Sequence, residues 1–312
     1  MTIFALSAAL LYGCADFLGG VATRRARALS ILPASALAGL MIVLVAALAA
    51  GEQVYPAGLA WGLAAGAVGG VGLIVFYAGL AEGPMTIVAP TSALTATVLP
   101  VAVSVAEGER GTPVVYAGAL ICLAAIVLVS ATGNPPVRRP AAARGDPPAG
   151  AAATGRPPRN VARRVASRLA GRGFHARAVG YGLAAGATFG LFFLFLRNAG
   201  QSGAFWPIVA SRLAGFLIIV LAAVLSRTKP VVAAGGSRLL LATFGSGTLD
   251  ATANVSYVFA TRAGLFGLAV VLTSLYPGIT VVLARFVLAE RLRPIQVIGL
   301  LLAAAGVVMV TV

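Results

Sequence analysis

The sequence predicts an all-α integral membrane protein, with ten transmembrane helices forming two inverted-topology five-helix repeats. Three observations predict this. The chain is 60% hydrophobic and only 10% charged, with a mean hydropathy of +0.98, whereas soluble domains carry about 25% charged residues. Apolar runs of about twenty residues, enough to cross a bilayer as a helix, recur along its whole length. The first and second sets of runs also resemble each other at a nearly constant offset.

The expected spans in the first half are 2–22, 31–50, 57–80, 84–106 and 112–131. The run Ile3 to Ala22 has no basic segment before it and no convincing cleavage site after it, so it reads as a retained helix rather than a signal peptide. The second run stops at Gly51-Glu52. The third carries Gly62, Gly66 and Gly70 at the four-residue spacing of a small-residue ridge for close helix packing. Glu82-Gly83-Pro84 precedes the fourth run, and Glu107-Gly108-Glu109-Arg110 the fifth. In the second half the spans are 179–199, 204–226, 239–260, 264–289 and 294–312. Trp61 and Trp206, at span ends, suit interface anchoring.

Between the halves lies a Pro-, Ala- and Arg-rich linker, residues 132–178. Through Pro158 it lacks apolar periodicity and is expected to be disordered. Beyond it, Val161, Val165 and Leu169 stand at helical spacing among arginines. A plain solvated linker is the expectation there, with a surface helix drawn to anionic lipid as the alternative.

The linker also explains the net charge of +15, which is not a nucleic-acid signal: ten of the 23 basic residues lie between Arg138 and Arg177, and nearly all others cap apolar runs. On the side shared by both termini lie three basic residues, Arg110, Arg197 and Arg262, against 19 on the other. The linker side is therefore expected to be cytoplasmic, in the plasma membrane, with the termini outside. Arg212 belongs to neither side.

Self-comparison carries the repeat. Thr91-Ser92-Ala93-Leu94 matches Thr273-Ser274-Leu275-Tyr276 at an offset of 182, and Glu109-Arg110 matches Glu290-Arg291 at 181. Tyr77 matches Tyr257 at an offset of 180, and Leu11-Tyr12-Gly13 resembles Thr188-Phe189-Gly190. Five spans is an odd number, so the second copy enters the membrane upside down, an architecture that recurs in transporters with a site between the copies.

The run from Tyr257 to Val308 closely resembles the EamA-type unit of the drug/metabolite transporter superfamily. It has an aromatic start, a turn of small residues, Pro277 in the penultimate helix, and Glu290-Arg291 followed by Pro294 and Gly299. Tyr77 to Val129 has the same frame, but places Pro100 late where the second copy has Pro277 early. The resemblance covers the spans and not the linker. It implies a ten-helix transporter of small organic solutes with a central cavity, and leaves the solute open.

The candidate site is read from the stretch Leu239 to Ala260. At 100° per residue, Ser246, Asp250, Asn254 and Tyr257 share one stripe of a span-length helix. A carboxylate at bilayer depth costs roughly 2.5–3.5 kcal/mol on insertion scales, so Asp250 should face protein or water. It is the first candidate for substrate or proton handling, with an ion pair to Arg212 as the structural alternative. Arg212 itself either clamps an anionic group or serves that pair. Asn254 suits a cavity wall or an interhelical hydrogen bond. Asp16 is either functional or snorkels to the interface. Its counterpart in the second copy is Phe193, and the counterparts of Asp250 and Asn254 are Gly70 and Ile74, so the chemistry is asymmetric. Tyr77 and Tyr257 suit gating or stacking on a solute, or headgroup anchoring. Glu109 and Glu290 read as structural charges opening helices.

These residues predict a secondary transporter of a small-molecule substrate by alternating access, with proton coupling as a further expectation. A lipid-linked flippase and a membrane regulator docking through the basic linker are the alternatives. No Walker-type loop is present. No nucleophile–base set appears among the spans, so no enzyme is expected. Cys14 and Cys122 stand alone in apolar runs, and His175 is the single histidine, so neither disulfide, metal site nor cofactor is expected. The fused halves make a monomer the default.

Overall fold

A computed structural model describes residues 1–23, 25–82, 85–109, 111–130, 161–228, 236–288 and 294–311, and among them every regular element is a helix. The first half contains α1 (Thr2–Thr23), α2 (Ala28–Ala50), α3 (Pro56–Glu82), α4 (Met85–Ala106) and α5 (Pro113–Ser130). The second contains α6 (Val161–Gly200), α7 (Phe205–Leu225), α8 (Gly236–Arg262), α9 (Phe266–Thr273), α10 (Tyr276–Val287) and α11 (Pro294–Thr311). Among the described residues, six stretches are long and apolar enough to cross a membrane, and shorter apolar helices lie in α4, α5 and α11. α8, which carries the polar stripe, is in neither group.

Helices of one half pack mainly on helices of the other. α1 lies on α8 and α6 on α3; α2 also contacts α8, and α7 contacts α3. α1 runs along α9 and α10 as α6 runs along α4, while α5 pairs with α11. The glycine ridge of α3 faces α7: a methyl group at Gly66 would overlap the Ser211 carbonyl oxygen. Gly247 of α8 meets the Ser35 carbonyl of α2 in the same way. Both contacts bring backbones closer than any side chain permits.

The core is concentrated in the half of the bundle nearest the termini. All eight residues of α9 are buried, whereas α10, its continuation toward the opposite side, has no buried residue. Tyr257, Val258, Phe266, Leu196 and Ile208 are fully buried in this half. Its rim is tied by acids. The Glu52 carboxylate, on the connection before α3, accepts from Ala204 N (2.6 Å), Phe205 N (2.8 Å) and Trp206 N (3.3 Å) at the start of α7. The Trp206 indole in turn donates to Glu52 O at 2.9 Å. Glu109 accepts from Phe266 N (2.8 Å) and Gly267 N (3.0 Å) at the start of α9. Arg197 pairs with Glu107 at 2.5 Å and lies 4.2 Å over the Phe266 ring.

Three expectations need revision. The ninth span, expected unbroken over 264–289, is interrupted at Ser274-Leu275. Pro277 lacks the N–H that would bond to the Thr273 carbonyl, so the ladder cannot run through. The residues from Val161 belong to α6, where irregular linker was expected; no proline follows Pro158 there, and alanine, leucine and arginine favour helix. Glu109 serves the N-terminus of α9 in the other half, not the helix that follows it. Arg24, Arg110, Glu290, Arg291, Arg293 and the linker through Asn160 lie outside the described residues.

Candidate functional site

The two longest polar reaches in the spans meet. Arg212 enters from α7, one turn beyond the Pro207 carbonyl, and its Nη1 donates to Asp250 Oδ2 of α8. The arginine side chain is 14% exposed and the aspartate 40%, so the pair sits at the edge of a solvated space with its carboxylate outward. Arg212 Nε and Nη2 are buried and find no acceptor among the described residues. Such a guanidinium is held by charge pairing and not by a complete set of hydrogen bonds.

That space is a cavity of about 270 Å³ bounded by helices of both halves. Asp250 and Asn254 reach it from α8, and Tyr12 and Asp16 from α1, in each case four residues apart and so on one helix face. Asn254 is 2% exposed and accepts a hydrogen bond from the Tyr12 hydroxyl, a buried polar link between α1 and α8. Asp16 is exposed to solvent and has no ion pair or hydrogen bond among the described residues.

Aromatic rings form much of the remaining wall. Phe189 and Phe193 stand one turn apart on α6, with Phe192 between them. The Tyr12 ring lies 6.3 Å from Phe193, edge to face, and 6.0 Å from Tyr276. The break between α9 and α10 supplies Ser274 and Tyr276, and α4 supplies Ser92.

The remaining expected residues lie elsewhere. Tyr257 is fully buried, its ring 4.9 Å from Phe193 and its hydroxyl donating to Phe193 O at 3.1 Å. It supports the wall from behind. Tyr77 is half-buried against Phe76, and Ser246 faces Gly19 of α1; neither lines the cavity. Tyr12, Phe189, Phe192 and Tyr276 were not singled out from sequence. A signal for three of them was present: Tyr12, Phe189 and Ser274-Leu275-Tyr276 fall inside the segments that match between the halves. Several matched positions line the cavity together, namely Tyr12 with Phe189, Asp16 with Phe193, Gly70 with Asp250, and Ser92 with Ser274.

Fold and cavity define a multi-pass helical membrane protein with a largely apolar, aromatic-walled chamber that carries three charged side chains among its helices. The model of the EamA-like transporter family matches residues 176–312. Those residues, just under half of the chain, are thus similar to a family of transporters. A solved crystal structure is similar over 99% of this chain and 96% of its own, with a TM-score of 0.72 at 20% identity, a likeness of fold. No curated protein matches the chain.

Proposed function

We propose that the protein is a secondary transporter that carries a small organic solute through the Arg212–Asp250 chamber by alternating access. One observation carries the reading: a solvated cavity bearing an ion pair and an unpaired carboxylate sits between helices of both halves. Charged groups at this depth are costly, and they are retained where a solute or proton pathway needs them.

Alternating access rests here on two inverted five-helix repeats within ten spans, residues 1–131 and 179–312. The reciprocal packing of α1 with α8 and α6 with α3 supports this, as do the matched Gly66–Ser211 and Gly247–Ser35 contacts. Dense packing near the termini, against a looser opposite half, fits a state closed on the termini side. In this reading the linker is cytoplasmic, the termini are outside, and the basic linker meets anionic lipid.

With Asp250 committed to Arg212, proton coupling falls to Asp16. Reconstitution tests the whole reading. Proteoliposomes of wild type should exchange a labelled solute that stabilises the protein, and Arg212→Met should lower exchange at least tenfold. Equal exchange by protein-free vesicles would remove the transporter reading. A flux insensitive to an imposed pH gradient would remove proton coupling alone.

A further inference from the structure

We propose that the chamber selects a monovalent organic cation with a flat apolar body, its charge held at Asp16 and its body against the aromatic wall to which Tyr12, Phe193 and Tyr276 contribute. This rests on the transporter reading of the same cavity and names the class of solute.

The charge balance is the first argument. Among the described lining residues there are two carboxylates, Asp16 and Asp250, and one guanidinium, Arg212. Arg212 spends Nη1 on Asp250, and its Nε and Nη2 are buried, so its charge is already matched by the pair. Asp250 is neutralised by the same pair. Asp16 is left as the accessible, unpaired charge of the chamber, and an unpaired carboxylate at this depth is best complemented by a cation.

The walls are the second argument. Tyr12 stands four residues before Asp16 on the same face of α1, so a group bound to the carboxylate lies within one helical turn of that residue. Phe193 and Tyr276 flank Tyr12 at 6.3 and 6.0 Å between ring centroids. Aromatic faces attract a cation and its adjoining apolar carbons together. The Tyr12 hydroxyl is engaged with Asn254, which leaves its ring as what it presents. The cavity offers about 270 Å³, room for one ring with a substituted ammonium group and not for a polymer.

The test uses the full chain purified in detergent and three probes of one shape: benzyltrimethylammonium, neopentylbenzene, its uncharged carbon isostere, and benzenesulfonate. Calorimetry should show binding of the ammonium ion, with Asp16→Asn weakening it about tenfold or more and Asp16→Glu largely restoring it. Rescue by the glutamate separates a charge contact from a folding defect. Tighter binding of the sulfonate or the isostere, undiminished binding in Asp16→Asn, or no binding of any probe overturns the proposal. Flux of each bound probe into proteoliposomes separates the two readings. A bound cation that is not moved leaves the site and removes transport; a transported sulfonate removes the cation class and leaves transport.

Discussion

At the residue scale, the Arg212–Asp250 pair illustrates why a buried ion pair is poor evidence of stability and good evidence of commitment. Asp250→Asn leaves a guanidinium 14% exposed without its counter-charge, and the expected loss is about 1–3 kcal/mol, below the value for fully buried pairs because the carboxylate is half in solvent. The double variant Arg212→Met with Asp250→Asn should recover part of that loss in a thermal unfolding series. A sum of the two single losses in the double variant would mean that the pair is not coupled. Tyr257→Phe has a different expectation. It removes the hydroxyl from Phe193 O but keeps the ring packing, so about 1 kcal/mol of stability should go while ligand affinity stays. The polar stripe of α8 was legible in sequence, because helical periodicity alone aligns Ser246, Asp250, Asn254 and Tyr257. Which of the four reaches solvent was not, since a 100° period defines a face and not what covers it. α1 and α6 cover Ser246, Asn254 and Tyr257 and leave Asp250 open.

At the element scale, termini and crossings carry the specificity. Glu52 satisfies three free N–H groups at the start of α7, where the helix dipole also favours a negative charge. Glu52→Ala should therefore lower stability by about 1–2 kcal/mol and Glu52→Gln by less, read as the shift in unfolding temperature in detergent. The backbone crossings give a sharper contrast. Gly66→Ala and Gly247→Ala each drive a methyl group into a carbonyl oxygen of the facing helix and should cost about 1–3 kcal/mol. Gly20→Ala in α1, with open space around it, should be neutral or stabilising by about 0.5–1 kcal/mol. Helix limits were legible to within a few residues, as in α2, expected over 31–50 and observed as Ala28–Ala50. The partner of Glu52 was not, because capping across 152 residues depends on which helices become neighbours.

At the scale of the whole molecule, burial divides the bundle into a sealed half and a loose half. An impermeant maleimide should label Phe216→Cys, on the cavity wall, from the linker side and not from the termini side, in a background carrying Cys14→Ala. Val270→Cys, in the buried α9, should resist it from both sides. Labelling of Phe216→Cys from the termini side alone would reverse the orientation of the chamber. The expectation of a duplication rests on short motifs that recur in the sequence, whereas the packing of helices of one half on helices of the other appeared only in three dimensions.

The limited apolarity of α8 bears on how the protein is made. A ribosome releases α7 before α8, so Arg212 is in place before Asp250 exists. By composition α8 does not reach the apolarity of the six span-like stretches, and the helix made before it carries the charge opposite to Asp250. If the pair that borders the chamber in the finished protein also helps this helix enter the bilayer during synthesis, Arg212→Met should lower the amount of inserted chain, read by protease protection, more than a substitution elsewhere on α7.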